Sequence, residues 1–407
     1  ATAYMEERLG GRAHREHEEE RLGSRPAPGY NDERFGGGRS ARGYEDGERL
    51  GGRPAHAYDE ERLGGSRTTR GYEDDERLLL KGLEEEVYTG TLDADPAPLS
   101  HRIAADLPGF VTEPDSRNVE YITEPHRSYQ VLLDSLMAKR CHLRRYLCRI
   151  GDYTLIPGST LSLEESDEFL ISNPSNPYYK FIRDTYGTTV VTASTHINVG
   201  IPEPEALIAA YRVLRAEASM YLALTANSPF LHGKPNGAHS NRWLVFPQTP
   251  SEVPFFECHE HFKTWVSKQI ESGAMFNPRH LWLAIRPNGV ATPIEIERLE
   301  LRICDRISRP HILGAVIALF EARIWQVLES LQNGEQALDP LTVRSDRELQ
   351  GICSRNERRA AESSLDATIT DWQTGNELPM RDWIEACFNS CLPTARAHGL
   401  WRDGGGY

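Results

Sequence analysis

The sequence predicts an α+β domain preceded by a segment that does not fold, on three observations. Hydrophobic residues make up only 39% of the 407 positions, low for a chain that is globular throughout. Glycine, charge and a short repeat dominate residues 1–77, whereas strand-like and helical patterns begin at Leu78. From there several separated strands precede long helices without the regular strand–helix alternation of a doubly wound sheet. The expected organisation is a disordered repeat segment over 1–77 and a catalytic domain over 78–400.

The repeat unit is Tyr-x-Asp/Glu-Glu-Arg-Leu-Gly-Gly-Arg, and its arginines Arg8, Arg21, Arg34, Arg49, Arg62 and Arg77 fall 13 or 15 residues apart. Solenoid repeats are usually longer and carry several core residues each. Here one Leu or Phe and often one Tyr per unit cannot offset the ordering entropy, so the segment reads as disordered. Regularly spaced Tyr, Arg and Leu could bind a protein partner multivalently. A translated DNA repeat without a selected role accounts for the same pattern.

The first strand, Leu78 to Tyr88, carries Glu84, Glu85 and Glu86. Side chains alternate along a strand, so Glu84 and Glu86 share one face and Glu85 takes the other. Strands follow at Val119 to Thr123, Thr188 to Ile201, Leu281 to Arg286 and Glu297 to Ile303. Helical periodicity covers Tyr129 to Arg149, Glu203 to Leu224, Glu260 to Ser272 and Pro310 to Leu331. Beyond Asn333 the chain reads as further helices, including charged Arg355 to Arg359 and amphipathic Trp383 to Cys391.

Four strands place polar groups on a single face. Glu84 and Glu86 are joined by Glu120, by Ser194, His196 and Asn198, and by Glu300 and Arg302, each opposite an apolar face. A sheet with one solvated face gives the same alternation in any one strand. Jointly the four are rich in Glu, His and Arg and nearly free of lysine, which favours a concave face lined with ligands for a hard cation. Carboxylate oxygens suit Mg²⁺, often bound together with nucleotide phosphates, and arginine among them suits an anion clamp.

Other chemistries find less support. The net charge of −14 argues against nucleic acid as a principal partner. The longest apolar run, near Leu313 to Phe320, is too short for a membrane span, and the charged first residues show no secretory signal. Seven cysteines fit a reducing compartment, hence the cytoplasm. Cys387 and Cys391 meet on one helix face as small apolar residues. No Walker A loop, kinase Gly-rich loop, Rossmann fingerprint or nucleophile elbow occurs. Three adjacent zinc-type ligands in Cys258-His259-Glu260-His261 cannot wrap one tetrahedral ion without distant partners.

Six stretches carry a family resemblance: Leu80-Lys-Gly-Leu-Glu-Glu-Glu-Val-Tyr-Thr-Gly90, Glu113-Pro-Asp-Ser-Arg-Asn-Val-Glu-Tyr121, Gly151-Asp-Tyr-Thr-Leu-Ile-Pro-Gly-Ser-Thr160, His196-Ile-Asn-Val-Gly-Ile201, Ala223-Leu-Thr-Ala-Asn-Ser-Pro-Phe230 and Arg298-Leu-Glu-Leu-Arg-Ile-Cys-Asp305. Together, from about Leu79 to about Leu331, they resemble glutamate–cysteine ligases of the cyanobacterial type, carboxylate–amine ligases of the glutamine synthetase-like superfamily. The resemblance implies a curved antiparallel sheet around a nucleotide and metal site, with helices on its outer side. It implies metal-binding roles for Glu84, Glu86, Glu120, His196 and Glu300. Glu113 pairs with Glu120 in the family pattern, though only Glu120 has a clear strand context. Glu300 and Arg302 match the closing strand of the site, with Arg302 on the transferring phosphoryl group or a substrate carboxylate.

The implied reaction uses ATP and Mg²⁺ to phosphorylate the γ-carboxylate of glutamate, after which the amine of cysteine attacks to give γ-glutamylcysteine, the first step of glutathione biosynthesis. Asn198, Asn227, Ser228 and Arg242 are candidates for binding substrate or nucleotide, helix capping being the alternative for Asn227 and Ser228. A ligase using another acid or amine, and a non-catalytic scaffold serving the N-terminal repeats, are the competing readings.

Overall fold

A computed structural model describes residues 75–162, 169–186, 190–334 and 338–401. The chain divides into units at residues 1–66 and 67–407, and the described residues all lie in the second. The disorder expected for 1–77 therefore falls almost wholly outside them. In chain order the strands are β1 (Lys81–Thr91), β2 (Phe110–Thr112), β3 (Asn118–Ile122), β4 (Tyr153–Ile156), β5 (Thr160–Ser162), β6 (Val190–Thr192), β7 (Thr195–Gly200), β8 (Phe230–Leu231), β9 (Lys234–Pro235), β10 (Ile285–Asn288), β11 (Arg298–Leu301), β12 (Thr368–Thr370) and β13 (Glu377–Pro379). The helices are α1 (Ser100–Asp106), α2 (Tyr129–Ile150), α3 (Pro177–Tyr186), α4 (Pro204–Ala216), α5 (Ala218–Thr225), α6 (Asn241–Val245), α7 (His259–Glu271), α8 (Pro310–Gln332), α9 (Pro340–Val343), α10 (Asp346–Ser363) and α11 (Met380–Ala397).

Among the described residues, one seven-stranded antiparallel sheet runs β10-β11-β7-β1-β3-β2, with β4 pairing the far end of β1. This is the α+β architecture expected, with an antiparallel sheet and helices on the face away from the site. Register sets its two faces. Glu84 stands opposite His196 on β7 and Glu86 opposite Glu120 on β3. Glu300 stands between Asn198 and Arg286. The intervening residues Leu83, Val87, Val119, Tyr121, Ile197, Val199, Leu299 and Leu301 are all buried in the main core with residues of α2, α4 and α8.

Glu85 lies on that apolar side and is fully buried. Arg140 of α2 reaches its two oxygens at 2.6 and 2.5 Å, and Arg306, beyond β11, donates Nε at 3.0 Å. A buried carboxylate is tolerable only when paired and hydrogen-bonded in this way. The pair also pins α2 to the back of the strand that carries Glu84 and Glu86.

Element boundaries differ from expectation where tertiary contacts intervene. Leu78 to Leu80 form a turn ahead of β1, closed by Leu78 N to Asp75 O at 3.0 Å and Leu80 N to Arg77 O at 3.3 Å, with Leu79 at φ 55°. The Thr188 to Ile201 strand is two strands. β6 pairs with β5, and β7 joins the main sheet after a break at Ser194. The Glu203 to Leu224 helix divides at Glu217, whose carboxylate is spent on Arg323 at 2.6 Å. The expectation that no apolar segment reaches the length of a membrane span is corrected. Helix α8, 23 residues long, passes by length and composition. Its apolar side chains nonetheless enter the protein core: Leu313, Ile317, Phe320, Ile324 and Leu328 are fully buried. Inside the same helix, Glu321 accepts Lys81 at 2.8 Å and Arg323 meets Glu217.

The end of the last repeat copy touches the domain. Leu79 N donates to Gly200 O at 2.8 Å, and the carbonyl of Arg77 sits where a Cβ on Gly200 would lie 2.4 Å away, so only glycine fits. Leu78 and Leu79 are buried, whereas Asp75 and Glu76 give only backbone carbonyls to the exposed Arg127. Deleting residues 1 to 76 is therefore expected to leave activity and melting temperature essentially unchanged. Deleting 1 to 79 removes two buried leucines, roughly 3 kcal/mol or more, and should lower the melting temperature by about 5 °C or more. Melting curves and kinetics on both truncations check this, and a clear loss from the shorter deletion would mean that the repeats pack on the domain.

Candidate active site

The polar face gathers two groups of ligand-type side chains. Glu84, His196 and Glu300 form one, and Glu86, Glu113 and Glu120 the other; within each, one ligand atom per residue lies within 4.8 Å of the others. His196 Nδ1 is 3.0 Å from Glu84 Oε2 and 3.6 Å from Glu300 Oε1. Its Nε2 is 2.8 Å from Ser194 Oγ. At the break between β6 and β7, Ser194 donates both N (2.7 Å) and Oγ (2.8 Å) to Glu86 Oε2. Asn198 Nδ2 donates to Glu84 Oε1 at 2.9 Å while its Oδ1 accepts from Arg298 Nε at 3.1 Å. Thus the expected Glu84, Glu86, Glu120, His196, Asn198 and Glu300 come together. Glu113, arriving from the loop after β2, completes the second group.

Arginines mark the β10–β11 side. Glu300 is fully buried, and its Oε2 accepts from Arg286 Nε (2.9 Å), Arg286 Nη2 (2.7 Å) and Asn288 Nδ2 (2.9 Å). Its Oε1 accepts from Arg302 Nη1 at 2.5 Å. Sequence reasoning missed Arg286 and Asn288. Arg286 pairs with Glu300 in the antiparallel register, a signal available only once β10 and β11 are aligned as neighbours.

The two groups are electrostatically unlike. Burial opposes ionisation of Glu300, yet Arg286, Arg302 and His196 outweigh it and hold the carboxyl well below its ordinary range. Burial and the charge on Glu300 push Glu84 up, but His196 and Arg302 prevail and lower it. Burial and then Glu86 raise Glu113 to about 8, against the pull of Arg302. Burial and the charges of Glu113 and Glu84 raise Glu120 well above its ordinary value. Three carboxylates crowded without enough positive charge are the donor set that fits a hard divalent cation, which favours their ionised forms.

A pH dependence follows. In the cation-free protein Glu113 keeps its proton when folded and loses it when unfolded, so between its ordinary pKa of 4.5 and about 8 the folded state binds more protons. Stability contributed by this group is full below that range and is lost as pH rises through it. The melting temperature without divalent ions is expected to fall from pH 6 to pH 8. Added Mg²⁺ should raise it more at pH 8 than at pH 6. A Mg²⁺ effect independent of pH would remove the cation from this group.

The other expected site residues are engaged inside the protein. Buried Asp305 accepts from Asn227 N, Ser228 Oγ and Ser240 Oγ, each at 2.8 Å. Asn227 Nδ2 donates to Arg306 O at 2.6 Å. Arg242 donates Nη1 to Ile303 O (3.1 Å) and Nη2 to Arg302 O (3.0 Å). These three residues clamp the segment from Arg302 to Arg306, which carries Arg302 on the polar side and Arg306 behind Glu85. In Cys258-His259-Glu260-His261 the groups go to separate partners. His259 Nε2 lies 2.9 Å from Pro293 O, Glu260 meets Lys263, and His261 Nδ1 accepts from Glu257 N.

An antiparallel sheet with two acidic ligand groups and buried arginines on one face, and helices on the other, is the arrangement of glutamine synthetase-like ligases. The chain belongs to the glutamate–cysteine ligase family 2, whose model matches residues 80–406. It is 28% identical over 266 residues to a Rubrobacter xylanophilus protein named "Putative glutamate--cysteine ligase 2-1", covering 63% of this chain and 67% of that one. A Nocardia farcinica protein, "Putative glutamate--cysteine ligase 2-2", is 28% identical over 296 residues, covering 71% and 73%. Among solved structures, the glutamate–cysteine ligase of Francisella tularensis in complex with AMP superposes with a TM-score of 0.61 at 14% identity, covering 79% of each chain. The bifunctional glutathione synthetase of Pasteurella multocida gives 0.59 at 15% identity, covering 79% of this chain; the chain spans 46% of that protein's length. Both show the fold alone.

Proposed function

We propose that this protein is an ATP-dependent ligase that joins the γ-carboxylate of glutamate to the amine of cysteine, making γ-glutamylcysteine as the first step of glutathione biosynthesis. The observation that carries the reading is the meeting of Glu84, Glu86, Glu113, Glu120, His196 and Glu300 with Arg286 and Arg302 on one sheet face. A carboxylate is a poor acyl donor. Moving the γ-phosphoryl group of ATP onto a γ-carboxylate oxygen leaves ADP and creates an acyl phosphate. The neutral amine then attacks the carbonyl carbon, the C–O bond to phosphate breaks, phosphate departs with the bonding pair, and the amine's extra proton goes to solvent.

Glu84 and His196, with Glu86, Glu113 and Glu120, would hold Mg²⁺, which when bound neutralises phosphate charge and offsets the mutual repulsion of the acids. Asn198 and Ser194 hold Glu84 and Glu86 in orientation. Glu300 fixes Arg302 and Arg286, so their charge is in place before a phosphoryl group or carboxylate arrives. Asn227, Ser228 and Arg242 act in this proposal by holding the Arg302 segment. Seven cysteines, none in a disulfide, suit a reducing setting such as the cytoplasm.

ADP release from purified protein with glutamate, Mg²⁺ and a panel of amines tests the proposal. Release dependent on both glutamate and cysteine is expected. Release with glutamate and a different amine would move the activity within the family, and no release with any pair would sink it.

A further inference from the structure

Helix α3 crosses the polar face from one edge of the sheet to the other. At the β2 edge, Tyr179 Oη donates to Thr112 O at 2.7 Å and, just ahead of the helix, Ser172 Oγ donates to the carbonyl of Glu113. At the opposite edge Tyr186 Oη lies 2.7 Å from His280 Nε2 and 2.8 Å from Thr249 Oγ1. His280 is fully buried and lies just ahead of β10. Its Nδ1 accepts from Phe276 N at 3.1 Å, which leaves Nε2 to donate to Tyr186. Burial lowers His280 to about 4, so the ring is a neutral anchor.

Tyr178, between these anchors, packs its ring on Phe276 at 5.7 Å and on the edge of His280 at 5.8 Å. Burial raises its phenol to about 12 against the opposing pull of the Trp282 N–H and the charges of Arg286 and Arg302, with Glu113 also in reach. The hydroxyl is therefore a neutral donor placed among the charged groups of the site. Arg302 offers a second donor. Its Nη1 is spent on Glu300, but its Nε is buried and has no partner. A buried guanidinium N–H without an acceptor is costly and calls for a ligand atom.

We infer that Tyr178 Oη and Arg302 Nε–H together form a subsite for the non-reacting carboxylate of an amino-acid substrate, making Tyr178 a specificity-determining residue. The inference rests on the ligase reading, because it takes the ligand to be an amino acid. Neither donor requires the reacting carboxylate, which the acidic groups and their cation would engage. Both are tied to rigid elements, α3 through its two anchors and Arg302 through Glu300, as discrimination between similar substrates demands.

The test is Tyr178→Phe, which keeps the ring against Phe276 and His280 and removes only the hydroxyl. Calorimetry on wild type and variant, with Mg²⁺ and ATP present, measures binding of two pairs: L-glutamate against 4-aminobutyrate, and L-cysteine against cysteamine. The second member of each pair lacks the α-carboxylate. Losing a hydrogen bond to a charged group is expected to weaken glutamate or cysteine by about ten- to a hundredfold, with the matching analogue unchanged and the melting temperature preserved. Which amino acid is weakened tells whose carboxylate is held. Equal affinity of variant and wild type for both amino acids overturns the inference, as does an equal loss for amino acid and analogue, or failure of wild type to bind either amino acid. Intact, Tyr178-dependent binding without ADP release would keep the subsite and fail the ligase reading instead.

Discussion

Replacing Glu86 with glutamine is expected to lower turnover roughly a thousandfold, because several kcal/mol of charge stabilisation disappear with one ligand. Its melting temperature without divalent ions should hold or rise. The two readouts part because of where the side chain sits. Glu86 Oε2 accepts from Ser194 N and Oγ, and a glutamine oxygen can accept both bonds. The other oxygen belongs to the crowded group with Glu113 and Glu120, whose carboxyls are already pushed up by burial and by each other's charges. Removing one charge relieves that repulsion in the cation-free protein and weakens the grip on Mg²⁺. Glu84→Gln should behave alike in turnover, since Glu84 shares the other group with His196 and Glu300. Steady-state kinetics over a range of Mg²⁺ concentrations, with melting curves, decide the matter. Near-normal turnover at limiting Mg²⁺ in either variant would show the metal assignment to be wrong.

For Arg302→Lys a loss of about a hundredfold in kcat is expected, the scale of removing one well-placed donor to developing charge. The backbone would not move much. Arg302 N donates to Ala284 O at 2.8 Å, and its carbonyl accepts from Arg242 Nη2 at 3.0 Å. Lysine could still meet Glu300, but it lacks the second edge of the guanidinium, where Nε is buried without a partner. If the lysine variant turned over at the wild-type rate, Arg302 would be a structural ion partner of Glu300 and nothing more.

Much of this site was legible before any tertiary contact was known. Glu84 and Glu86 on one face with Glu85 on the other, and His196 beside Asn198, follow from the two-residue period of a strand, which is local geometry. Helix α2 (Tyr129–Ile150) was legible for a similar reason, since Ser128 accepts from Val131 N as its cap. Glu113 was uncertain because it lies in a loop, where no periodicity says which way a side chain points. Asn227 and Ser228 suggested ligand binding, yet Asp305 claims them from more than 75 residues away in the chain. Helix α8 shows the limit from the other side: its apolar stretch passes a composition test, and its burial depends on packing partners that sequence alone does not name.

The sequence by itself determined which side chains each strand presents together, because alternation is built into the extended backbone. It also determined the family, through motifs that keep their order along the chain. Only the tertiary structure decided which strands are neighbours, and therefore that Glu86 meets Glu120 and Glu113, that Arg286 and Arg302 converge on Glu300, and that Arg140 and Arg306 neutralise Glu85 behind the sheet. The physical reason is range. Alternation acts over two residues, whereas the Arg306–Glu85 contact spans 221 positions and exists only because the sheet and its helices pack as they do.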